Sequence, residues 1–411
     1  FQPYCFTEKG DKVQVESKNF FADSSDVRFE YRLLSEGRFA GEWKPLQLGA
    51  PIGPREKRVF SLPADAIAAK AKPGAAIRFR AVQIAEKNLI PAGWTVSEDQ
   101  LQLSADASPV VSSSSTFNLQ PSTSADGVLA IGGWRFSKAD GTLLDCGMTL
   151  DAFRYPCGAE LWGHVGPGPN AIYRECLREG LRNPKPMLVR FTDPVRDGDG
   201  WTFTTEQVWR GAVREDCGSV SKLKVKIETL GPTTETNTAF RAVNVWRVCA
   251  DGSLDLETTF TRLGRALDGK AQFDWADVAP WKVVPRLGWR FELPVTGAVE
   301  WYGTGPWETY PKRKAGAFPS LWRVGSAREM GFAYTRNQDF GNRVDVRRVT
   351  VEDAHFTIAT RGEPFEMAVS PWTATELIEN DHPEQLPTPS RTFVTVAIPT
   401  GDSMLKLKFV K

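Results

Sequence analysis

Histidine is scarce in this chain: three in 411 residues, His164, His355 and His382. The six cysteines, Cys5, Cys146, Cys157, Cys176, Cys217 and Cys249, are scattered, with no C-x-x-C pair. A structural zinc site needs about four clustered nitrogen or sulfur ligands. No metal is therefore expected, and nothing calls for a cofactor. Scattered cysteines in a long chain are expected as buried free thiols, with disulfides left open. Neither sign of charge dominates: 51 Lys and Arg face 50 Asp and Glu, a net +1. That leaves no field to gather nucleic acid or an anionic membrane surface. No apolar run approaches the roughly 18 residues of a membrane span. The chain opens at Phe1, with neither Met nor a charged-then-apolar leader, and so reads as a processed product or an excerpt of a longer chain.

What is abundant is tryptophan, 14 residues. Core packing is the plainer reading and stacking on sugar faces the other. With 41% hydrophobic residues, the length suits two to three domains with ordinary cores.

Residues 1–104 read as one β-sandwich. Lys12 to Ser17, Val27 to Leu33 and Ala76 to Val82 alternate with period two, as strands with one buried face do. Pro and Gly turns between them suggest an immunoglobulin-like domain. Ala64 to Lys70 is Ala-rich but stopped by Pro73 and Gly74, so it predicts at most one or two helical turns. Residues 105–117 hold four consecutive serines and read as a linker.

From 118 to 411 the pattern predicts one large β domain. It begins at Leu129 to Phe136, with hairpin turns at Asp140-Gly141 and Asp251-Gly252. Strands are expected at 200–209, 221–229, 239–249, 253–262, 286–294, 297–303, 344–361, 364–369, 391–398 and 404–410. That many strands with little helix imply two large packed sheets. One helix is expected, capped by Asn170, with Ile172, Tyr173, Cys176, Leu177 and Leu181 on one stripe. Gly166 to Pro169 lacks the Lys and Ser/Thr of a phosphate loop.

The organising stretch is Val299 to Tyr310. β-formers run to Tyr302, and Gly303-Thr304-Gly305-Pro306 then predicts a tight, irregular turn. Trp307, Glu308, Tyr310 and Arg313 follow, a set able to order a buried polar corner. The pattern formed by Trp301, Tyr302, Gly303, Gly305, Pro306, Glu308, Tyr310 and Arg313 resembles a signature in the C-terminal domain of the large β-galactosidases of glycoside hydrolase family 2. Tyr334 to Arg347, with Gln338, Gly341, Asn342 and Arg343, resembles the family's second motif, Tyr-x-x-Pro-Gln-Glu-x-Gly-Asn-Arg-x-Asp-Val-Arg. Phe365 to Leu377, with His382, matches as well.

The resemblance implies an all-β chain: an immunoglobulin-like sandwich, then a β-supersandwich of the galactose-mutarotase type. It implies that the family's catalytic carboxylates sit on a separate (β/α)₈ barrel. This sequence has no βαβα alternation, so no catalytic pair is expected on it. Two loops by which the family's final domain helps the active site depart from pattern. The run matching Phe-Trp-Arg-Ala-Pro-Thr-Asp-Asn-Asp keeps Arg154 and Pro156 but has Gly158, Ala159 and Glu160 at its end. The Gly-rich Ser-Trp turn expected after Thr392 to Ile398 is absent, and no Trp follows Trp372.

The resulting expectation is a non-catalytic module whose partners are other chains of a larger assembly. The alternatives are the C-terminal part of a working β-galactosidase, partnered by a barrel chain, or a sugar-binding module. Trp307, Glu308, Tyr310 and Arg313 are expected to form a structural corner, and His382 to be a satisfied fold histidine.

Overall fold

The computed structural model describes residues 2–105, 119–155, 181–211, 213–216, 226–229, 240–262, 286–311, 313–398 and 404–411; side chains at 210–239 and 262 are not described. The chain is all-β and divides into two compact units. One comprises residues 1–108, 304–306 and 315–321, and the other comprises the rest.

In the first unit a three-stranded sheet, Tyr4–Lys9, Lys12–Ser17 and Lys57–Ser61, accompanies a four-stranded one. The latter runs in the order Arg38–Pro45, Val27–Ser35, Ala75–Gln83, Thr95–Gln102. All its pairs are antiparallel. Alternation supplies the core: Tyr4, Phe6, Val13, Val15, Phe29, Ile77 and Phe79 are buried, and Phe6 stacks on Phe79 at 4.8 Å. The Ala-rich stretch forms a helix of six residues, Ala64–Ala69. Strand Ala75–Gln83 departs from expectation, because it is buried on both faces. Arg78 is itself buried: its guanidinium donates to Gln100 Oε1 at 2.7 and 3.0 Å and to Ser320 Oγ at 2.7 Å, and lies over Phe39 and Phe318.

The second unit holds two principal sheets. One runs in the order Thr149–Asp151, Gly288–Leu293, Thr392–Ala397, Phe365–Ser370, Asn342–Val346. The longer one passes from Pro184–Phe191 through Gly200–Gly211, Phe240–Val248, Leu254–Arg262, Met404–Val410, Phe356–Thr360 and Arg348–Val351 to Val299–Gly305. Between them lies one core, in which Trp134, Trp209, Trp246, Trp289 and Trp301 are fully buried. Packing therefore accounts for these five rings. Their N–H groups are met locally where threonines reach them: Trp246 donates to Thr205 at 3.0 Å and Trp289 to Thr258 at 2.9 Å.

At the start of this unit Gly132 and Gly133, both at positive φ, fold Leu129 to Phe136 into the hairpin Val128–Ile131 and Trp134–Ser137. Two local expectations change. The expected stretch 344–361 is broken at Asp345, which sits at φ 55 beside a register shift, and again by a short 3-10 turn at Glu352–Ala354. Gly303 does not end its strand, which continues to Gly305 before the cis Gly305–Pro306 peptide. A Cβ at Gly303 would come within 2.7 Å of the Val346 backbone, so this glycine permits a close crossing of two strands. The Asp251-Gly252 turn joins its strands as expected, with Cys249 N–H donating to Ser253 O at 2.9 Å.

Most of the linker, the helix expected from Asn170, and Gly166 to Pro169 lie outside the described residues. Among the described residues no helix is long and apolar enough to cross a membrane.

Candidate functional site

Glu308 follows the end of the Val299–Gly305 strand and turns inward, 5% exposed. Its Oε1 accepts the Gly341 N–H at 2.7 Å and its Oε2 the Tyr334 hydroxyl at 2.8 Å. Gly341 must be glycine on two counts. It sits at φ 73, and a Cβ there would collide with the Val369 carbonyl. Beside it, Thr309 and Asn342 exchange backbone and side-chain bonds: Thr309 N–H to Asn342 O at 3.0 Å, Asn342 Nδ2 to Thr309 O at 2.8 Å. Arg343 is 2% exposed, donates to the Asn342 and Met330 carbonyls, and lies 5.2 Å over the Trp301 ring. Burial pushes its guanidinium down to about 10, so it stays charged near neutrality.

A second cluster adjoins the first. The Tyr310 hydroxyl donates to Asp339 Oδ2 at 3.0 Å. Arg154 approaches the same oxygen at 3.8 Å and stacks on the Tyr310 ring. Arg286 stands 3.9 Å from Asp339 Oδ1 and bonds Asp151 Oδ2 at 2.9 Å, where the Thr395 hydroxyl also donates at 2.7 Å. Arg313 is exposed; it covers the Tyr310 ring from outside and exchanges two backbone bonds with Tyr310.

Electrostatics follow from burial. Desolvation raises the carboxyl of Glu308 above its usual range, and nearby Asp339 adds to it; the Gly341 and Tyr334 bonds oppose it. Glu366 is raised by burial, against the opposing charges of Arg154 and Arg286 and a hydrogen bond from Asn342. For Arg286, burial pulls the other way but is outweighed by Asp151, Asp339 and Glu366, so its affinity for its proton is raised.

Two cavities flank this network. One of about 30 Å³, with Asp151, Arg286, Asp339 and Trp372 in its wall, has room for roughly one water. The other, about 220 Å³, is lined by Phe332, Phe340, Trp372, Leu377, Pro383 and Leu386, with Gln338 and Arg328 among its polar members.

The structure thus brings Glu308, Tyr310, Gly341, Asn342, Arg343 and Arg154 into one polar corner, with Trp301 under it. The Tyr302 carbonyl accepts the Arg347 N–H at 2.8 Å. His382 stands apart, its Nδ1 2.8 Å from Thr335 O and its backbone N–H capped by Gln385. Pro156, Gly158, Ala159 and Glu160 lie outside the described residues. Trp307 does not join the corner: it is 57% exposed and stacks on Phe332 at 5.6 Å. Sequence reasoning passed over Asp151, Arg286 and Glu366. Glu366 carried a signal, a lone carboxylate in a strand otherwise composed for burial, Phe365–Ser370; Asp151 and Arg286 are 135 residues apart and carried none. Among the described residues no group of three His, Cys, Asp or Glu could hold a metal ion.

A model of the β-galactosidase small chain matches residues 174–400, and one of β-galactosidase domain 4 matches residues 13–104. A β-galactosidase of Halalkalibacterium halodurans is 35% identical over 118 residues, 28% of this chain and 12% of that protein. One of Priestia megaterium is 28% identical over 203 residues, 48% of this chain and 19% of that protein. The matched stretches thus span less than a fifth of these relatives. An amine oxidase of Aspergillus nidulans aligns over 100% of this chain and 67% of its own at 7% identity, with a TM-score of 0.25, too slight to carry any argument. With more than half of its residues matched by the small-chain model and the domain that precedes it matched as well, this chain belongs to the β-galactosidase small chain family.

Proposed function

We propose that the chain is a non-catalytic module of the β-galactosidase type, serving as a structural or accessory part of a larger protein assembly. One observation carries this: each buried carboxylate of the polar corner is held by donors of the fold. Asp151 is held by Arg286 and Thr395, Asp339 by Tyr310, and Glu308 by Gly341 and Tyr334. Glu366 lies in the field of Arg154 and Arg286. A retaining glycosidase needs two carboxyl groups about 5–5.5 Å apart on either side of a sugar bond, one of them ready to give up a proton. These groups instead spend their oxygens on the framework. Gly158, Ala159 and Glu160 in place of the family's Asp-Asn-Asp, and the lack of a Trp after Trp372, point the same way.

A second reading is favoured by the order of the matches, domain 4 and then small chain, which is that of β-galactosidases. On it the chain is the C-terminal part of a working hydrolase whose carboxylates lie on a separate barrel. Native mass of the protein from its source, with accompanying chains identified and a chromogenic galactoside assayed, separates the two. Unrelated partners and no turnover are expected. A barrel, in equal amount or on the same polypeptide, with turnover would overturn the first reading.

A further inference from the structure

The cavity of about 220 Å³ has an unusual division of labour among its walls. Its body is apolar: Phe332, Phe340, Trp372, Leu377, Pro383 and Leu386. Its polar atoms are largely committed to the fold. The Tyr334 hydroxyl goes to Glu308, the Asn337 amide to the Asn380 carbonyl at 2.6 Å, and the Trp372 N–H to the Pro387 carbonyl at 2.8 Å. A hydroxyl-rich sugar would find few donors and acceptors to replace its water. A cavity of about 150 Å³ takes up benzene, so this one suits a single bulky apolar group.

The apolar surface does not stop at the cavity. Phe332, 40% exposed, carries the ring of Trp307 stacked on it at 5.6 Å and 14°, and Trp307 is itself 57% exposed. A ligand filling only the pocket would leave this ledge in water. Exposed, adjoining aromatics beside a pocket are what buried anchors of protein interfaces dock against. The one charged residue of the lining is Arg328. It sits on the 3-10 turn Ala327–Met330, whose ends Ala327 and Met330 are buried, so Arg328 is held facing outward. Among the described residues it forms no ion pair or hydrogen bond, and it complements an anion on the partner.

We propose that this surface seats a partner polypeptide, with one bulky apolar side chain in the pocket, an apolar neighbour on Trp307 and an Asp or Glu on Arg328. The proposal rests on the reading of the chain as part of an assembly, and names the chemistry of the partner it takes.

The test uses the full chain in its native assembly, with p-benzoylphenylalanine at position 332. Illumination is expected to cross-link it to a partner chain, at a segment with a bulky apolar residue within a few positions of an Asp or Glu. A synthetic peptide of that segment is then expected to bind the purified chain, at least tenfold more weakly after Arg328→Glu and about threefold to tenfold more weakly after Trp307→Ala. All three side chains are exposed, so the variants should fold, and circular dichroism checks that they do. Partners that accompany the chain but do not cross-link at 332 would overturn the proposal and leave the assembly reading standing. So would a cross-linked segment without an acid, unchanged binding after Arg328→Glu, a small organic molecule retained in the pocket, or a cross-link to a second copy of this chain. A chain found with no partner at all would overturn both.

Discussion

Glu308→Ala should destabilise the second unit by about 1–4 kcal/mol. The Gly341 N–H, which Glu308 Oε1 accepts at 2.7 Å, is inside the protein and would be left without that acceptor. An orphaned buried donor costs about 1–3 kcal/mol. Tyr334 is only half-buried and can turn its hydroxyl to water, so its lost bond adds no more than about 1 kcal/mol. Glu308→Gln separates hydrogen bonding from charge. Its amide oxygen can still accept from Gly341, and the Tyr334 hydroxyl can turn to accept from its NH₂. The cost should fall to about 1 kcal/mol. Urea unfolding followed by tryptophan fluorescence suits this test, because the five fully buried tryptophans all lie in the second unit. With a slope on the order of 3 kcal/mol/M, Glu308→Ala should lower the midpoint by about 1 M. Two results would refute the reasoning: Glu308→Ala within about 0.5 kcal/mol of the parent, or Glu308→Gln as damaging as Glu308→Ala, which would make the charge and not the bonds the source of stability.

Burial raises the Glu308 carboxyl above its ordinary 4.5, so the folded state holds this proton more tightly than the unfolded state. Its contribution is fully present below the ordinary value and is lost as pH rises through the folded one. The stability gap between the parent and Glu308→Gln should therefore narrow as pH is raised from about 4.5 towards neutrality, in paired urea titrations; a widening gap would reverse the sign. Gly341→Ala meets both a positive φ and the Val369 carbonyl. It should cost about 3 kcal/mol or more, seen as a lowered midpoint or loss of soluble protein. Asp151→Asn weakens the partner of Arg286, whose side chain is 7% exposed, and should cost about 3 kcal/mol, because a buried guanidinium loses its counter-charge. Adding Arg286→Met should recover at least half of that loss; an additive double mutant would mean the pair is not coupled.

The strands were legible where alternation is local. Lys12–Ser17 and Met404–Val410 take the expected bounds because Val, Leu and Phe recur every second residue and pairing follows. Glycine was harder to read. The same residue type turns the chain at Gly132-Gly133, admits a neighbouring strand at Gly303, and does both jobs at Gly341. Only the fold says which. The corner itself was half legible. Glu308, Tyr310, Asn342 and Arg343 are close in sequence to the turns that place them. Asp151 meets Thr395 across 244 residues and Arg286 across 135, and no local pattern encodes such a meeting. Trp307 was grouped with the corner by its sequence neighbours, but its ring points outward onto Phe332.

The polar corner also bears on how a fold can outlast an activity, on the reading proposed above. Glu308 reaches from the end of a long-sheet strand to the backbone just ahead of Asn342–Val346, a strand of the other sheet. Thr309 and Asn342 repeat the tie, and so does the Thr309 hydroxyl, which accepts the Val344 N–H at 3.0 Å. The motif residues therefore connect the two sheets through the backbone, and substrate is not needed to hold them. Arg154 is the member that comes from the altered loop. Its guanidinium stands 3.8 Å from Asp339 and over the Tyr310 ring. A change at Arg154 would strip Asp339 of a buried cation. Arg154→Ala should therefore cost about 2–4 kcal/mol, read as a lowered urea midpoint, because the buried Asp339 carboxylate loses a nearby cation. A loss below about 0.5 kcal/mol would mean that Arg154 is not built into the corner.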